Sequence, residues 1–140
     1  MSQFQAFFAQ NVKSEEIEEF PVSERFKDKE GKAIKWKLRT LTEAENEEIR
    51  KSATKQKKIK KNFYIPEVDQ TEYMAKLAVA SVVFPDLKDA ELQKSYGVLG
   101  AESLLRKMLL AGEYGTLVEK VQEMNGFDKD IEDIKEEVKN

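Results

Sequence analysis

Apolar and polar residues alternate on both sides of a polar turn in the first third of the chain, which is the period-two pattern of β-strands. The apolar positions of the two halves are Phe20, Val22, Phe26, Ile34, Trp36 and Leu38. Between the halves, the sequence KDKEGK supplies a reversal in which Gly31 can adopt a positive φ. We therefore predict one antiparallel β-hairpin over residues 17–41, with strands near 17–26 and 33–41. Two strands alone are marginally stable, so the apolar face of the hairpin should rest on helices.

A helix is predicted to begin directly after the hairpin. Thr42 is a natural N-cap, and Glu45 three residues later completes a capping box. Seven basic residues and no acidic one then occupy residues 50–61, a charge that suits the negative end of a helix dipole. We interpret this run as the solvated C-terminal half of the charged helix. Nucleic-acid binding is the alternative, but the sequence places no aromatic platform beside the lysines and no recognition motif around them.

The remainder of the body, up to residue 126, has the periodicity of helices joined by short links. After a loop over 62–68, helices are predicted over 69–84, 89–96, 101–110 and 116–124. The first is apolar on most sides and should be the central core element, ending at Pro85. Gly97 and the pair Asn125-Gly126 are stop signals for the second and the last. Residues 111–115 are read as a link.

Both ends of the chain carry apolar stripes with helical spacing. In the N-terminal segment, 1–14, the stripe consists of Phe4, Phe7, Phe8 and Val12. In the strongly charged C-terminal segment, 127–140, it consists of Phe127, Ile131, Ile134 and Val138. We predict a short helix at each end. Each stripe either packs on the body or binds a partner, and the pattern leaves both possibilities open.

The predicted fold is therefore α+β and mostly α: an N-terminal helix (1–14), one antiparallel β-hairpin (17–41) and a bundle of about five helices. The bundle comprises a helical body (42–126) and a charged C-terminal helix (127–140). A length of 140 residues is sufficient for a single domain, 1–140, with a core of its own. Charged residues make up 36 % and hydrophobic residues 40 %, which is typical of a globular protein with a heavily charged surface.

The composition argues against most kinds of catalysis. The chain has no histidine and no cysteine, so Ser–His and Cys–His nucleophiles are excluded and a zinc site is improbable. Phosphate-binding glycine loops do not occur, and the acidic residues after Asp128 lack the glycine and closing glutamate of a calcium loop. No apolar run approaches the ~20 residues of a membrane-spanning helix. We predict no catalytic, metal or cofactor site, no enzyme activity and no membrane association.

Two motifs carry a resemblance to a known family. The first is Val22-Ser23-x-Arg25-Phe26-x-Asp28-x-x-Gly31, followed by Trp36-x-Leu38-Arg39 and Thr42-x-x-Glu45. The second is LLAGEYGTLVEKVQEMNGF over residues 109–127. Their order and spacing resemble the tail assembly chaperones of phage and prophage tail operons in Gram-positive hosts, of the XkdN-like kind. The chain departs from the pattern at Ala111, where a proline is expected.

The resemblance implies a binding protein that acts in the host bacterial cytoplasm. Its expected partner is the tape-measure protein, which it would keep soluble until the tail tube polymerises; the tail tube protein and self-association are further possibilities. The residues that identify the family are Arg25, Phe26, Gly31, Trp36, Thr42, Glu45, Gly112, Tyr114 and Gly126. We expect the two terminal stripes to bind the partner. The alternatives are a nucleic-acid-binding regulator that uses residues 50–61 and a minor structural component of the tail.

Overall fold

The computed structural model describes residues 3–13 and 15–127. Within this part of the chain, helical residues outnumber strand residues, and the fold is α+β as predicted. The strands are β1 (Ile17–Phe20), β2 (Trp36–Arg39), β3 (Thr54–Lys60), β4 (Phe63–Val68) and β5 (Val82–Phe84). The α-helices are α1 (Glu43–Ser52), α2 (Gln70–Ser81), α3 (Ala90–Ser95), α4 (Ala101–Met108) and α5 (Ala111–Met124).

The predicted hairpin over 17–41 exists, but its strands are short and it is part of a larger sheet. β1 pairs antiparallel with β2, with Phe20 opposite Trp36, and β5 pairs antiparallel with the other side of β2. β5 consists of residues that were predicted to end a helix. The β-branched Val82 and Val83 favour extended backbone, and the residue before Pro85 is disfavoured in a helix. The free edge of β2 supplies the partner for that extended backbone.

The connection between β1 and β2 is an irregular loop closed by a polar turn. The carboxylate of Asp28 accepts hydrogen bonds from the backbone N–H of Glu30 at 2.8 Å and of Lys32 at 3.0 Å. Gly31 has a φ of +83°, which a side chain would oppose. Val22 lies in this loop and is buried although it is outside any strand. The turn was predicted correctly, whereas both strands are shorter than the predicted 17–26 and 33–41.

The prediction that residues 50–61 continue the first helix is wrong. α1 ends at Ser52, and β3 and β4 form a second antiparallel hairpin that reverses at Asn62, where φ is +64°. The hydroxyl of Thr54 donates to the carbonyl of Arg50 at 2.8 Å, so a side chain takes over a backbone acceptor where the helix stops. The lysine run has too few apolar residues to hold a helix against the body, while pairing with β4 satisfies its backbone.

The helical body was predicted in outline. α2 contacts α1, α4 and α5 and is the central element, as its apolar circumference indicated. The carboxylates of Asp69 and Asp89 cap α2 and α3 by accepting from the N–H groups of Glu72 and Leu92. α5 begins at Ala111 rather than at residue 116, so the predicted link is its first turn. Gly126 has a φ of +78° just beyond α5, in agreement with the predicted stop.

The core lies between the inner face of the three-stranded sheet and the helices. Its largest side chains with less than 2 % exposure are Trp36, Leu38, Leu77, Leu104, Leu105, Leu117 and Val121. Val22, Leu87 and Met108 enlarge the same cluster, and Phe20 and Phe26 pack against it from its margin. Two residues of β2 thus join the sheet to the helical body.

The prediction of an N-terminal helix over 1–14 is wrong for residues 3–13, which the structure describes. Two short 3₁₀ segments, Phe4–Phe7 and Ala9–Asn11, replace it. An α-helix of this length is marginal in water unless it packs on something, and every residue from 3 to 13 is exposed. The side-chain amide of Asn11 donates to the carbonyl of Gln5 at 2.8 Å and holds the two segments together. The predicted C-terminal helix lies outside the described residues, except for Phe127.

Candidate functional site

The first candidate site is the N-terminal arm, residues 3–13, which presents aromatic side chains to solvent. Phe4 is 71 % exposed, Phe7 79 % and Val12 53 %. Phe8 is the most covered of the four at 39 %, and its ring meets that of Phe4 edge to face at 5.4 Å. The structure therefore places the N-terminal stripe away from the core. Ile131, Ile134 and Val138 of the C-terminal stripe lie outside the described residues.

A second apolar surface is an open groove of about 190 Å³ beside the three-stranded sheet. Its lining residues are Phe26, Ile34, Trp36, Phe84, Pro85, Leu92, Tyr96 and Met108. The rings of Trp36 and Phe26 both line the groove with centroids 6.2 Å apart, and Phe84, which also lines it, is 46 % exposed. The predicted core helix over 69–84 included Phe84. In the structure Phe84 instead belongs to β5, which lies at the edge of the sheet.

The third candidate surface is the basic hairpin, residues 54–68, which consists of β3 and β4. Every residue in it is exposed except Thr54 and Val68 at its base, which are half-buried. Phe63 and Tyr64 on β4 pair with Lys60 and Lys58 on β3. The ammonium group of Lys60 lies 5.7 Å from the centre of the Phe63 ring. The aromatic neighbours that the lysines lacked in the sequence reading are therefore present, because the chain turns back at Asn62.

The family motifs meet in a partly exposed ion pair between Arg25 and Glu113, which joins the β1–β2 loop to the helices. The guanidinium of Arg25 donates to the carboxylate of Glu113, with Nη2 2.6 Å from Oε1 and Nε 3.0 Å from Oε2. Nη2 also donates to the carbonyl of Met108 at 2.8 Å. The hydroxyl of Ser23 donates to the same carboxylate, and the N–H of Leu110 donates to Oε1 at 2.8 Å. Each partner of Glu113 is a donor, so its charged form is stabilised.

These donors lower the pKa of Glu113 to about 2, the side chain of Arg25 having the largest effect and Ser23 the next. The same ion pair raises the pKa of Arg25 above its ordinary value. A carboxylate held in its charged form by four donors is poorly suited to proton transfer near neutral pH. The arrangement instead ties the loop at residues 23–25 to the start of α5, and we interpret it as structural.

We expect the Glu113→Gln substitution to make the protein less stable at pH 7 and to flatten the acid side of its stability profile. Because the pKa of Glu113 is below its unfolded value of 4.5, its ion pair stabilises the fold above pH 4.5. That contribution is lost as the pH falls from 4.5 toward 2. Urea unfolding followed by far-ultraviolet circular dichroism across this pH range measures it. Glu119→Gln, an exposed glutamate on the same helix, is the matched control, and identical profiles for the two variants would contradict the prediction.

A second ion pair ties the capping box to the sheet. The side chain of Thr42 accepts from the N–H of Glu45 at 3.2 Å, and the carboxylate of Glu45 accepts from the N–H of Thr42 at 3.0 Å, as the sequence indicated. Arg39 donates to Glu45 at 2.7 Å and to the carbonyl of Ala80 at 3.0 Å. Arg39 is the main cause that lowers the pKa of Glu45 to about 2. β2, α1 and the end of α2 are thereby fixed to one another.

The other family positions also lie in the scaffold. Trp36 is in the core, Gly31 and Gly126 form turns with positive φ, and Gly112 and Tyr114 are in the first turns of α5. Ser23 and Glu113 belong to the ion-pair network around Arg25, but the sequence had not indicated either of them as a site residue. Their only signal was their place inside the two motifs, since 90 residues of chain separate them.

Among the residues that the structure describes, no group of three or more acidic side chains is arranged to hold a metal ion. Among the same residues, no helix is both long and apolar enough to cross a membrane. Three surface features are candidates for a binding function: the exposed N-terminal arm, the apolar groove and the basic hairpin.

Comparison with known proteins defines the class. The chain belongs to the phage XkdN-like tail assembly chaperone family, whose model matches residues 4–139. The protein YqbN of Bacillus subtilis strain 168 is 34 % identical over 132 residues, which cover 94 % of this chain and 88 % of that protein. The phage-like element PBSX protein XkdN of the same strain is 32 % identical over 130 residues, covering 92 % and 87 %.

A solved structure supports the fold as well as the family. The crystal structure of YqbN superposes with a TM-score of 0.77 and 28 % sequence identity, covering 91 % of this chain and 99 % of that one. The family resemblance stated from the two motifs is therefore confirmed. The family is one of assembly chaperones and not of enzymes.

Proposed function

We propose that this protein binds the tape-measure protein in the host bacterial cytoplasm and keeps it soluble until the tail tube polymerises around it. The observation that carries the proposal is the N-terminal arm, in which Phe4 and Phe7 are more than two-thirds exposed. Large aromatic side chains are rarely left in water without a partner, because their burial contributes a large part of interface energy. Membership of a tail assembly chaperone family supplies the class of partner.

The mechanism we propose is transient burial of apolar segments of the client against the arm. A holding chaperone has to cover apolar surface on its client and release it when the tube subunits arrive, which favours a small contact over a large obligate interface. The N-terminal arm exposes three phenylalanines within five residues, Phe4 to Phe8. The rest of the surface is strongly charged, so the complex would remain in solution.

We expect replacement of Phe4, Phe7 and Phe8 by Ala to abolish most of the ability to keep a tape-measure fragment soluble. Each ring is exposed, so its removal leaves the core intact and the unfolding transition unchanged. The measurement is the soluble fraction of a co-expressed tape-measure fragment, alongside thermal unfolding of the purified variant. The matched control is Leu99→Ala, which removes an apolar side chain that is 91 % exposed on another part of the body.

The proposal of an N-terminal binding site is wrong if the triple variant folds normally and still solubilises the fragment. The tape-measure assignment itself is tested separately with the unaltered protein. If that protein does not raise the soluble fraction of any tape-measure fragment, but does so for tube subunits, the partner is the tail tube protein. The first outcome would mean that the binding site is not the N-terminal arm. The second would mean that the client is the tail tube protein.

A further inference from the structure

The basic hairpin, residues 54–68, has a charge opposite to that of the rest of the chain. Five lysines and one glutamate give it a net charge of +4. The whole chain has a net charge of −3, which leaves −7 for the remainder. A positive segment on a negative protein attracts anionic partners to that segment and repels them from the body. The charge therefore selects both the sign of a partner and the place where it binds.

The free positive charge of the hairpin is concentrated near its turn. In the part of the chain that the structure describes, three of the five lysines make no ion pair: Lys58, Lys60 and Lys61. Lys55, at the base, is instead held by Asp69 and Glu72. The ammonium group of Lys57 lies 3.6 Å from the carboxylate of Glu67. An anionic ligand would therefore be held beside the turn, away from the acidic groups at the base.

The strand register places an aromatic ring beside a lysine on each face of the hairpin. Directly opposed residues of an antiparallel pair have their side chains on the same face. Lys58 lies opposite Tyr64, and Lys60 lies opposite Phe63. Phe63 and Tyr64 are consecutive on β4, so their rings point to opposite faces. Both faces near the turn thus present one ring and one ammonium group.

A β-bulge in β3 produces this arrangement. Lys58 and Lys60 are two residues apart and would share a face in a regular strand. The register shifts between them, which adds Ile59 as an extra residue and moves Lys60 to the face of Phe63. The ammonium group of Lys60 then lies 5.7 Å from the centre of the Phe63 ring. Bulges of this kind often direct a side chain toward a functional position.

The two rings are open to a ligand as well as to the lysines. Phe63 is 48 % exposed and Tyr64 is 54 % exposed. Single-stranded nucleic acid is bound by this combination, because its bases stack on aromatic rings while ammonium groups hold its phosphates. The bases of a duplex are stacked on one another and cannot use the rings. An acidic protein segment would be attracted by the lysines but has no flat bases to stack.

We propose that the basic hairpin binds single-stranded RNA, with bases stacked on Phe63 and Tyr64 and phosphates held by the three unpaired lysines. The contact is tolerant of sequence, because every base has a face that can stack. Single-stranded nucleic acid in a bacterial cytoplasm is mostly RNA, so the choice of RNA over DNA rests on the proposed cytoplasmic location. The binding site itself depends only on the hairpin and not on the identity of the protein client.

The salt dependence of binding tests the phosphate contacts. Three lysines that neutralise about three phosphates give a slope of about −2 for the logarithm of the association constant against the logarithm of salt concentration. The measurement is fluorescence anisotropy of a labelled, unstructured RNA of about 15 nucleotides. Salt is varied between about 50 mM and about 200 mM.

Removal of the three charges should abolish this binding. The variant is Lys58→Gln/Lys60→Gln/Lys61→Gln, in which the hairpin keeps long polar side chains but loses its free ammonium groups. The matched control is Lys88→Gln/Lys94→Gln/Lys107→Gln, which removes three exposed lysines elsewhere on the body. The control should bind the RNA at least as tightly as the wild type and with the same slope.

Replacement of the two rings separates stacking from charge. We expect Phe63→Leu/Tyr64→Leu to weaken RNA binding by about tenfold or more, because the bases lose their stacking surface. The salt slope should stay near −2, since the lysines remain. Ile65→Leu, an aliphatic exchange on the same strand, is the control and should bind like the wild type. All these side chains lie outside the core, so thermal unfolding of each variant should match that of the wild type.

The proposal is wrong if the wild type does not bind the RNA at about 50 mM salt. It is also wrong if the ring variant binds as tightly as the wild type, because the hairpin would then be a charged surface without a stacking site. Binding of DNA of the same sequence, of anionic vesicles or of a poly-glutamate peptide in place of the RNA would equally overturn it. Phe4→Ala/Phe7→Ala/Phe8→Ala should leave RNA binding unchanged, so a failure here is distinguishable from a failure of the proposed chaperone function.

Discussion

Replacement of Trp36 by Ala is expected to lower the free energy of unfolding by about 3–5 kcal/mol, which is the cost of truncating a large buried aromatic residue. Trp36 is 1 % exposed and is one of the two β2 residues that join the sheet to the helical body. Its removal leaves a cavity that the paired strands on both sides of β2 prevent from collapsing. Many domains have only about 5–15 kcal/mol of stability, so the variant is close to the unfolding threshold.

Urea unfolding followed by far-ultraviolet circular dichroism measures this effect. Trp36 is the single tryptophan of the chain, so tryptophan fluorescence is lost with it and cannot report on the variant. Lys35→Ala, an exposed substitution at the neighbouring position, is the control and should change the stability little. A loss of less than about 1 kcal/mol in the Trp36 variant would mean that the sheet is not fixed to the helices through this residue.

Replacement of Tyr73 by Phe is expected to cost about 1–3 kcal/mol, because it leaves a buried acceptor without its donor. The hydroxyl of Tyr73 on α2 donates to the side-chain oxygen of Asn46 on α1, and both residues are less than 9 % exposed. The amide nitrogen of Asn46 is occupied separately, since it donates to Glu43 at 2.9 Å.

A double-mutant cycle separates this hydrogen bond from changes in packing. Asn46→Leu combined with Tyr73→Phe removes both polar groups, so the loss should be smaller than the sum of the two single losses. Tyr64→Phe removes the hydroxyl from a tyrosine that is 54 % exposed on the basic hairpin and is the matched control. Strict additivity of the two single substitutions would show that the buried bond contributes nothing of its own.

Features that depend on neighbours in the sequence were predicted correctly. The capping box of Thr42 and Glu45, the turn at Gly31 and the stop at Gly126 each need only a few adjacent residues, and the structure has all three. The central helix, α2, was predicted because its apolar residues lie on most sides of the helix axis. The family was identified from motifs whose order and spacing are themselves properties of the sequence, and the comparisons confirm it.

Features that depend on distant residues were not predicted. Val82 to Phe84 fit the end of a helix until the open edge of β2, more than 40 residues earlier, makes a strand the better state. The lysines of 54–60 were read as a helix end because their positive charge suits the negative end of a helix dipole, whereas pairing with Phe63 to Val68 makes them a strand. The N-terminal stripe has helical spacing, yet without a surface to pack on it forms two 3₁₀ segments.

The sequence by itself identified the family of this protein through the order and spacing of two motifs. Its composition argued against histidine and cysteine chemistry, and its local signals specified the cap of the first helix and the turns. The tertiary structure alone decided where charge and apolar surface face. It brought Arg25 to Glu113 across 88 residues and placed aromatic rings beside the lysines. The physical reason is that strand pairing and ion pairs join residues far apart in the chain, and no local pattern encodes which partner is near.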